Sequence, residues 1–124
     1  MAGQVDPPVT QAGYLVLLAL ASGHDHGYGI ARFVDQLTAG QVQLPEGTLY
    51  RTISRLSADK LVHHVEAAAP AGVPSAGSSR RKRYRLTQAG RRVVVRESMI
   101  LSNIVRAAEA AGCTPHGRNS DIVG

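Results

Sequence analysis

A chain of 124 residues with 44% hydrophobic content has room for one modest core, and its five aromatic residues, none of them tryptophan, leave that core to aliphatic side chains. The formal net charge is +5, and eight of the fourteen basic residues fall between positions 80 and 96 with no acidic residue among them, which focuses a positive field on one region and points to a polyanionic partner. Twelve arginines against two lysines would follow from a GC-rich genome alone, but that bias does not cluster charge, and the lone Cys113 excludes an intrachain disulfide or a cysteine metal site and fits a reducing interior.

In chain order, residues 1–9 with Pro7 and Pro8 are expected to be a flexible start. Thr10 is a plausible N-cap for a helix whose run YLVLLALA is apolar on every side, as in a helix enclosed by others. That run lacks a basic n-region and a cleavage site, and it is too short to span a bilayer, so a cytoplasmic protein without a membrane partner is expected. SGHDHG breaks the pattern before a second helix from about Tyr28 to Thr38, with Ile30, Val34 and Leu37 at helical spacing and an end at Ala39 and Gly40. QVQL then alternates as a short extended piece, and Pro45 suits the first turn of a third helix running to about Asp59.

On this third helix Leu49, Ile53 and Leu56 form the core stripe, while Gly47, Thr48, Arg51, Thr52 and Arg55 fall mainly on the other side. By itself that is an ordinary solvated face or a face that meets DNA. The segments after it favour DNA: LVHHVEA reads as one strand, RRKRYRL as its partner, and AAPAGVPSAGSS as the loop between them, which together make a wing. Bases are read by a helix in a groove, and flanking cations such as Arg80, Arg81, Lys82 and Arg83 hold phosphates. A solubilising edge strand is the plainer alternative for the basic run.

Thr87 is a good N-cap for a last helix, and the stretch from Gln88 to Ala111 contains no proline, so a helix of roughly 36 Å is predicted. Val93, Ile100, Leu101, Ile104, Ala107, Ala108 and Ala111 mark an apolar stripe longer than a small core can cover, and are predicted to form a homodimer seam. Residues 112–124 are expected to be a disordered tail.

Three separated segments, HGYGI, GTLYRTISRL and RKRYRLTQAGRR, together resemble the PadR family of bacterial transcriptional regulators over roughly residues 10–92, in its short C-terminal subgroup. The resemblance implies a mainly α fold with a small β-wing: a winged helix-turn-helix over residues 10–86, followed by a C-terminal dimerisation helix over 87–111. It places Thr48, Tyr50, Arg51 and Arg55 on a recognition helix in the major groove, and Arg81, Lys82, Arg83 and Tyr84 on the wing. It also implies a homodimeric repressor on a roughly palindromic operator, the two half-sites about 34 Å apart. The chain departs from the family pattern at Gly29, where a helix-favouring residue is more usual, at a cost of up to about 1 kcal/mol.

An enzyme is not expected, because the chain has no nucleophile elbow, phosphate-cradling glycine loop or paired carboxylates. No cofactor is expected either, and a small-molecule effector is left unidentified, with only Tyr14 or Phe33 as aromatic candidates to grip one. His24, Asp25, His26, His63 and His64 hold enough ligand atoms for a divalent metal, but adjacent strand histidines point to opposite faces, so no metal site is expected. The alternatives to the operator-binding reading are a ligand- or metal-sensing winged-helix regulator of another family, and a winged helix used for protein–protein contact.

Overall fold

The computed structural model describes residues 5–66 and 82–113. Among these residues four helices, α1 (Gln11–Ala21), α2 (Gly27–Leu37), α3 (Glu46–Ala58) and α4 (Gln88–Ala110), accompany two strands, β1 (Val62–Glu66) and β2 (Lys82–Leu86). The strands pair antiparallel from Val62 opposite Leu86 to Glu66 opposite Lys82. Three helices followed by a two-stranded ribbon is the winged helix-turn-helix arrangement that the family resemblance implies. Two compact units divide the chain after Val94, so the first unit includes the opening turns of α4 and the second begins at Val95.

Each element of the first unit begins or ends for a local reason. Thr10 takes the N-cap of α1, its hydroxyl accepting the Gly13 N–H at 3.0 Å. Leu15, Val16, Leu17 and Ala19 are buried, so α1 is the enclosed core helix that its all-round apolar sequence calls for. α2 ends where Ala39 and Gly40 take positive φ, while the Thr38 hydroxyl donates to the Val34 carbonyl at 2.8 Å and accepts the Val42 N–H at 3.0 Å. These bonds turn residues 41–44 into an irregular link, not the extended piece that their alternation suggests, and Leu44 enters the core from it. Pro45 stands one position earlier than predicted, at the N-cap of α3, and its carbonyl accepts the Leu49 N–H at 2.8 Å.

The core of the first unit joins Leu17, Ile30, Val34, Leu49, Ile53, Leu56 and Leu61 with Tyr84 of the wing and Val93 of α4. Thr87 fastens α4 to this body. Its hydroxyl accepts the Gly90 N–H at 2.9 Å and donates to the Lys60 carbonyl at 2.8 Å, while its own N–H donates to the Leu61 carbonyl at 3.1 Å. In the described part of the segment 1–9, Asp6 accepts from both Nε and Nη2 of Arg92, at 3.0 and 3.1 Å, and Val9 packs on the core. Residues 1–4, the whole of the wing loop and most of the predicted tail lie outside the described residues.

In the second unit α4 continues to Ala110 with exposed apolar side chains, among them Val95, Met99, Ile100, Leu101, Ile104 and Val105. Arg96 pairs with Glu97 at 2.9 Å, and Arg106 donates to Ser102 and Asn103 one turn back.

Candidate nucleic-acid interface

The 3.6-residue period decides what α3 presents. With Leu49, Ile53 and Leu56 in the core, Gly47, Tyr50, Arg51, Ser54 and Arg55 are left on the exposed side. Arg51 Nη2 reaches the Thr48 hydroxyl at 3.3 Å and pairs with no carboxylate among the described residues. Arg55 leans on Asp59, 3.5 Å away and one turn on, a loose surface pair that a phosphate could replace. Thr52 is less available than its position suggests: it is half-buried, and its hydroxyl donates to the Thr48 carbonyl at 2.8 Å.

Beside the exposed face of α3 a groove of about 680 Å³ runs between the starts of α2 and α3, lined by His26, Gly27, Tyr28, Leu49, Tyr50 and Lys82 among others. Its shape depends on a missing side chain. A Cβ on Gly27 would overlap the Tyr50 hydroxyl and lie 3.4 Å from Leu49 Cδ2, so glycine at this point lets the tyrosine of α3 lie across the first turn of α2. Lys82, the first residue of β2, lines the same groove, which joins the wing to the exposed face of α3.

The wing residues divide into several fates. Lys82, Arg83 and Arg85 are exposed, but Tyr84, predicted as a DNA contact, is only 7% exposed and belongs to the core. The pleat explains this: with Lys82 and Leu86 on one side of the ribbon, Tyr84 shares that side and is drawn under it, its ring 5.3 Å from that of His64. Burial, and then the neighbouring Tyr50 phenol, push the Tyr84 phenol above its ordinary value of 10.0. Arg83 lies 3.8 Å from the Asp25 carboxylate. Arg80 and Arg81 lie outside the described residues.

Of the histidines considered as metal ligands, His24 lies 4.9 Å from Phe33 in a tilted ring contact, His26 Nδ1 meets Asp25 at 2.8 Å, and His64 meets Tyr84. Of the predicted dimer residues, Val93 is fully buried within its own chain and is not available to a second copy, because the opening turns of α4 cover the core. Ile100, Leu101 and Ile104 are 45%, 41% and 55% exposed, and Ala108 is half-buried. Ala107 and Ala111 are exposed as well, so the stripe predicted from position 100 onward is accessible.

In the sequence Asp25 stands out only as a candidate metal ligand, and Asp6 does not stand out at all. Each holds an arginine far along the chain, Arg83 and Arg92 respectively, and nothing local to either aspartate signals it.

Comparison with known proteins agrees with this geometry. Residues 16–96 match the transcriptional regulator PadR-like family. Among solved structures the chain is similar to a transcriptional regulator from Clostridium thermocellum (TM-score 0.63, 19% identity, 80% of this chain and 87% of that one). It is also similar to a PadR-like transcription factor from Bacteroides fragilis (TM-score 0.59, 22% identity, 80% and 87% covered). A MarR-family regulator from Silicibacter pomeroyi shares the fold more loosely (TM-score 0.57, 22% identity, 93% and 66% covered). A 37.1 kDa protein in a transposon of Streptomyces fradiae is 33% identical over 93 residues, which is 75% of this chain, and the chain spans 24% of that relative's length. On the family match across most of its length, together with the winged fold, the chain belongs to the PadR-like family of transcriptional regulators.

Proposed function

We propose that this regulator binds duplex DNA sequence-specifically as a homodimer and represses transcription by occupying a roughly palindromic operator. The observation that carries the reading is the exposed side of α3, where Arg51 stands without a carboxylate partner among the described residues, together with Lys82 of the wing, which lines the same groove as Tyr50 of α3. An arginine on the outer face of such a helix can take guanine O6 and N7 in the major groove, and a lysine on the wing can take phosphate. Gly47 and Ser54, small and exposed, let that face approach base edges closely. Homodimerisation is supported by the exposed Ile100, Leu101 and Ile104, whose burial against a second copy would remove apolar surface from water. Two α3 helices carried by such a dimer would meet successive major-groove faces about 34 Å apart.

The test is Arg51→Ala, measured on the DNA upstream of the chain's own gene and on a random duplex. A base-reading arginine gives a loss of about 1–3 kcal/mol on the specific site and little change on random DNA. Equal loss on both would make Arg51 a phosphate contact and remove the basis for placing α3 over base edges.

A further inference from the structure

We propose that Asp25 is a positioning residue of the DNA-binding surface: it holds Arg83 of β2 against the protein and withholds that cation from phosphate, which keeps binding to random duplex weak. The inference rests on the reading of α3 and the wing as a duplex-binding surface. Asp25 lies in the turn between α1 and α2, outside both elements assigned to DNA, yet it meets the wing twice. Its backbone carbonyl accepts the Tyr84 N–H at 2.9 Å, and its carboxylate lies 3.8 Å from Arg83 Nε. The other carboxylate oxygen is 2.8 Å from Nδ1 of His26, a second neighbour that helps to orient the carboxylate. His26 in turn lines the groove that Lys82 and Tyr50 share.

The reason lies in how a cation binds DNA. A lysine or arginine contributes to affinity and to its salt dependence by neutralising a phosphate and releasing the counterion that the phosphate held, with a slope of about 0.9 per phosphate on a log–log plot. Arg83 beside Asp25 is partly neutralised in the free protein, so it releases less than a lone cation would, and the carboxylate itself repels the backbone. Both effects act on any sequence, which makes Asp25 a brake on general binding to duplex DNA.

The experiment measures the salt dependence of binding to a random-sequence duplex for the wild type, Asp25→Asn, Asp25→Glu, Arg83→Gln and the Asp25→Asn/Arg83→Gln pair. Asp25→Asn is expected to bind more tightly at low salt and to raise the slope by up to about 0.9, which makes its loss between 50 and 200 mM salt about 3.5-fold greater than that of the wild type. Asp25→Glu, which keeps the charge, is expected to return the wild-type slope, and Arg83→Gln is expected to lower the slope by less than about 0.9 and to show the same slope with or without Asp25→Asn. An unchanged slope in Asp25→Asn overturns the proposal while leaving the DNA-binding reading intact. A rise of the same size in the Arg83→Gln background also overturns it, since Asp25 would then act by bulk charge. A wild type that binds the duplex with no salt dependence overturns both readings.

Discussion

The packing of Gly90 allows a prediction whose sign can be checked against a second glycine in the same molecule. A Cβ built on Gly90, in the first turn of α4, would overlap the Leu61 carbonyl oxygen and lie 2.9 Å from Leu86 Cδ2 and 3.2 Å from the Leu61 carbonyl carbon. Leu86 can rotate, but the Leu61 carbonyl is backbone, and it accepts the Thr87 N–H at 3.1 Å, so it cannot retreat without loosening the cap of α4. Overpacking of this kind costs about 1–3 kcal/mol, the strained hydrogen bond adds about 1, and alanine in place of glycine in a helix returns about 1. Gly90→Ala should therefore lose about 1–3 kcal/mol, or about 4–15 °C in Tm for a chain of this size. At Gly29 of α2 the added Cβ would meet only His24, at 3.8 and 3.9 Å, which is ordinary contact. Gly29→Ala should then gain about 0.5–1 kcal/mol from helix propensity and the stiffer unfolded chain. Thermal unfolding of both variants by circular dichroism decides the matter. A Gly90→Ala protein as stable as the wild type would refute the close approach of α4 to Leu61, and a destabilised Gly29→Ala would refute the open space above α2.

Three further perturbations test other parts of the account. Ile104→Asp places a charge in the exposed apolar stripe of α4 and is expected to give monomers by sedimentation; a dimer that persists moves the interface elsewhere. Lys82→Ala should lower the salt slope of duplex binding by about 0.9, whereas Arg83→Ala, whose charge Asp25 already meets, should lower it by less; equal effects would deny the distinction between the two cations. Because the Tyr84 phenol titrates above 10.0 in the fold and at about 10.0 in the unfolded chain, its contribution is full below that pH and is lost as pH rises through the folded value. Tyr84→Phe should flatten this alkaline decline in denaturation midpoints, and an identical decline in the variant would assign it to another group.

The elements were legible because their signals are local. Thr10 and Thr87 act as the N-caps that their positions suggest, and Leu49, Ile53 and Leu56 face the core as their spacing requires. What could not be read is what depends on distant partners. The basic segment contains no acid of its own, so a linear count makes all its cations available, but Asp25, Asp6 and Glu97, all outside it, pair with Arg83, Arg92 and Arg96. Tyr84 reads as a surface residue between arginines, and only the pleat and the placement of β2 over the core turn it inward. Val93 reads as one more member of a long stripe, and only the docking of the first turns of α4 separates it from Ile100 and Ile104. A helical period tells which residues share a face, but it does not tell where along that face the chain's own core ends.

The central claim, that the exposed side of α3 and the wing bind an operator, is tested most directly by fluorescence anisotropy of the purified protein on the DNA upstream of its own gene, at two salt concentrations and with random duplex as competitor. The account predicts binding at two chains per site that resists the competitor and weakens with salt along a linear log–log plot. Binding that random duplex displaces equally well at both salt concentrations would contradict it.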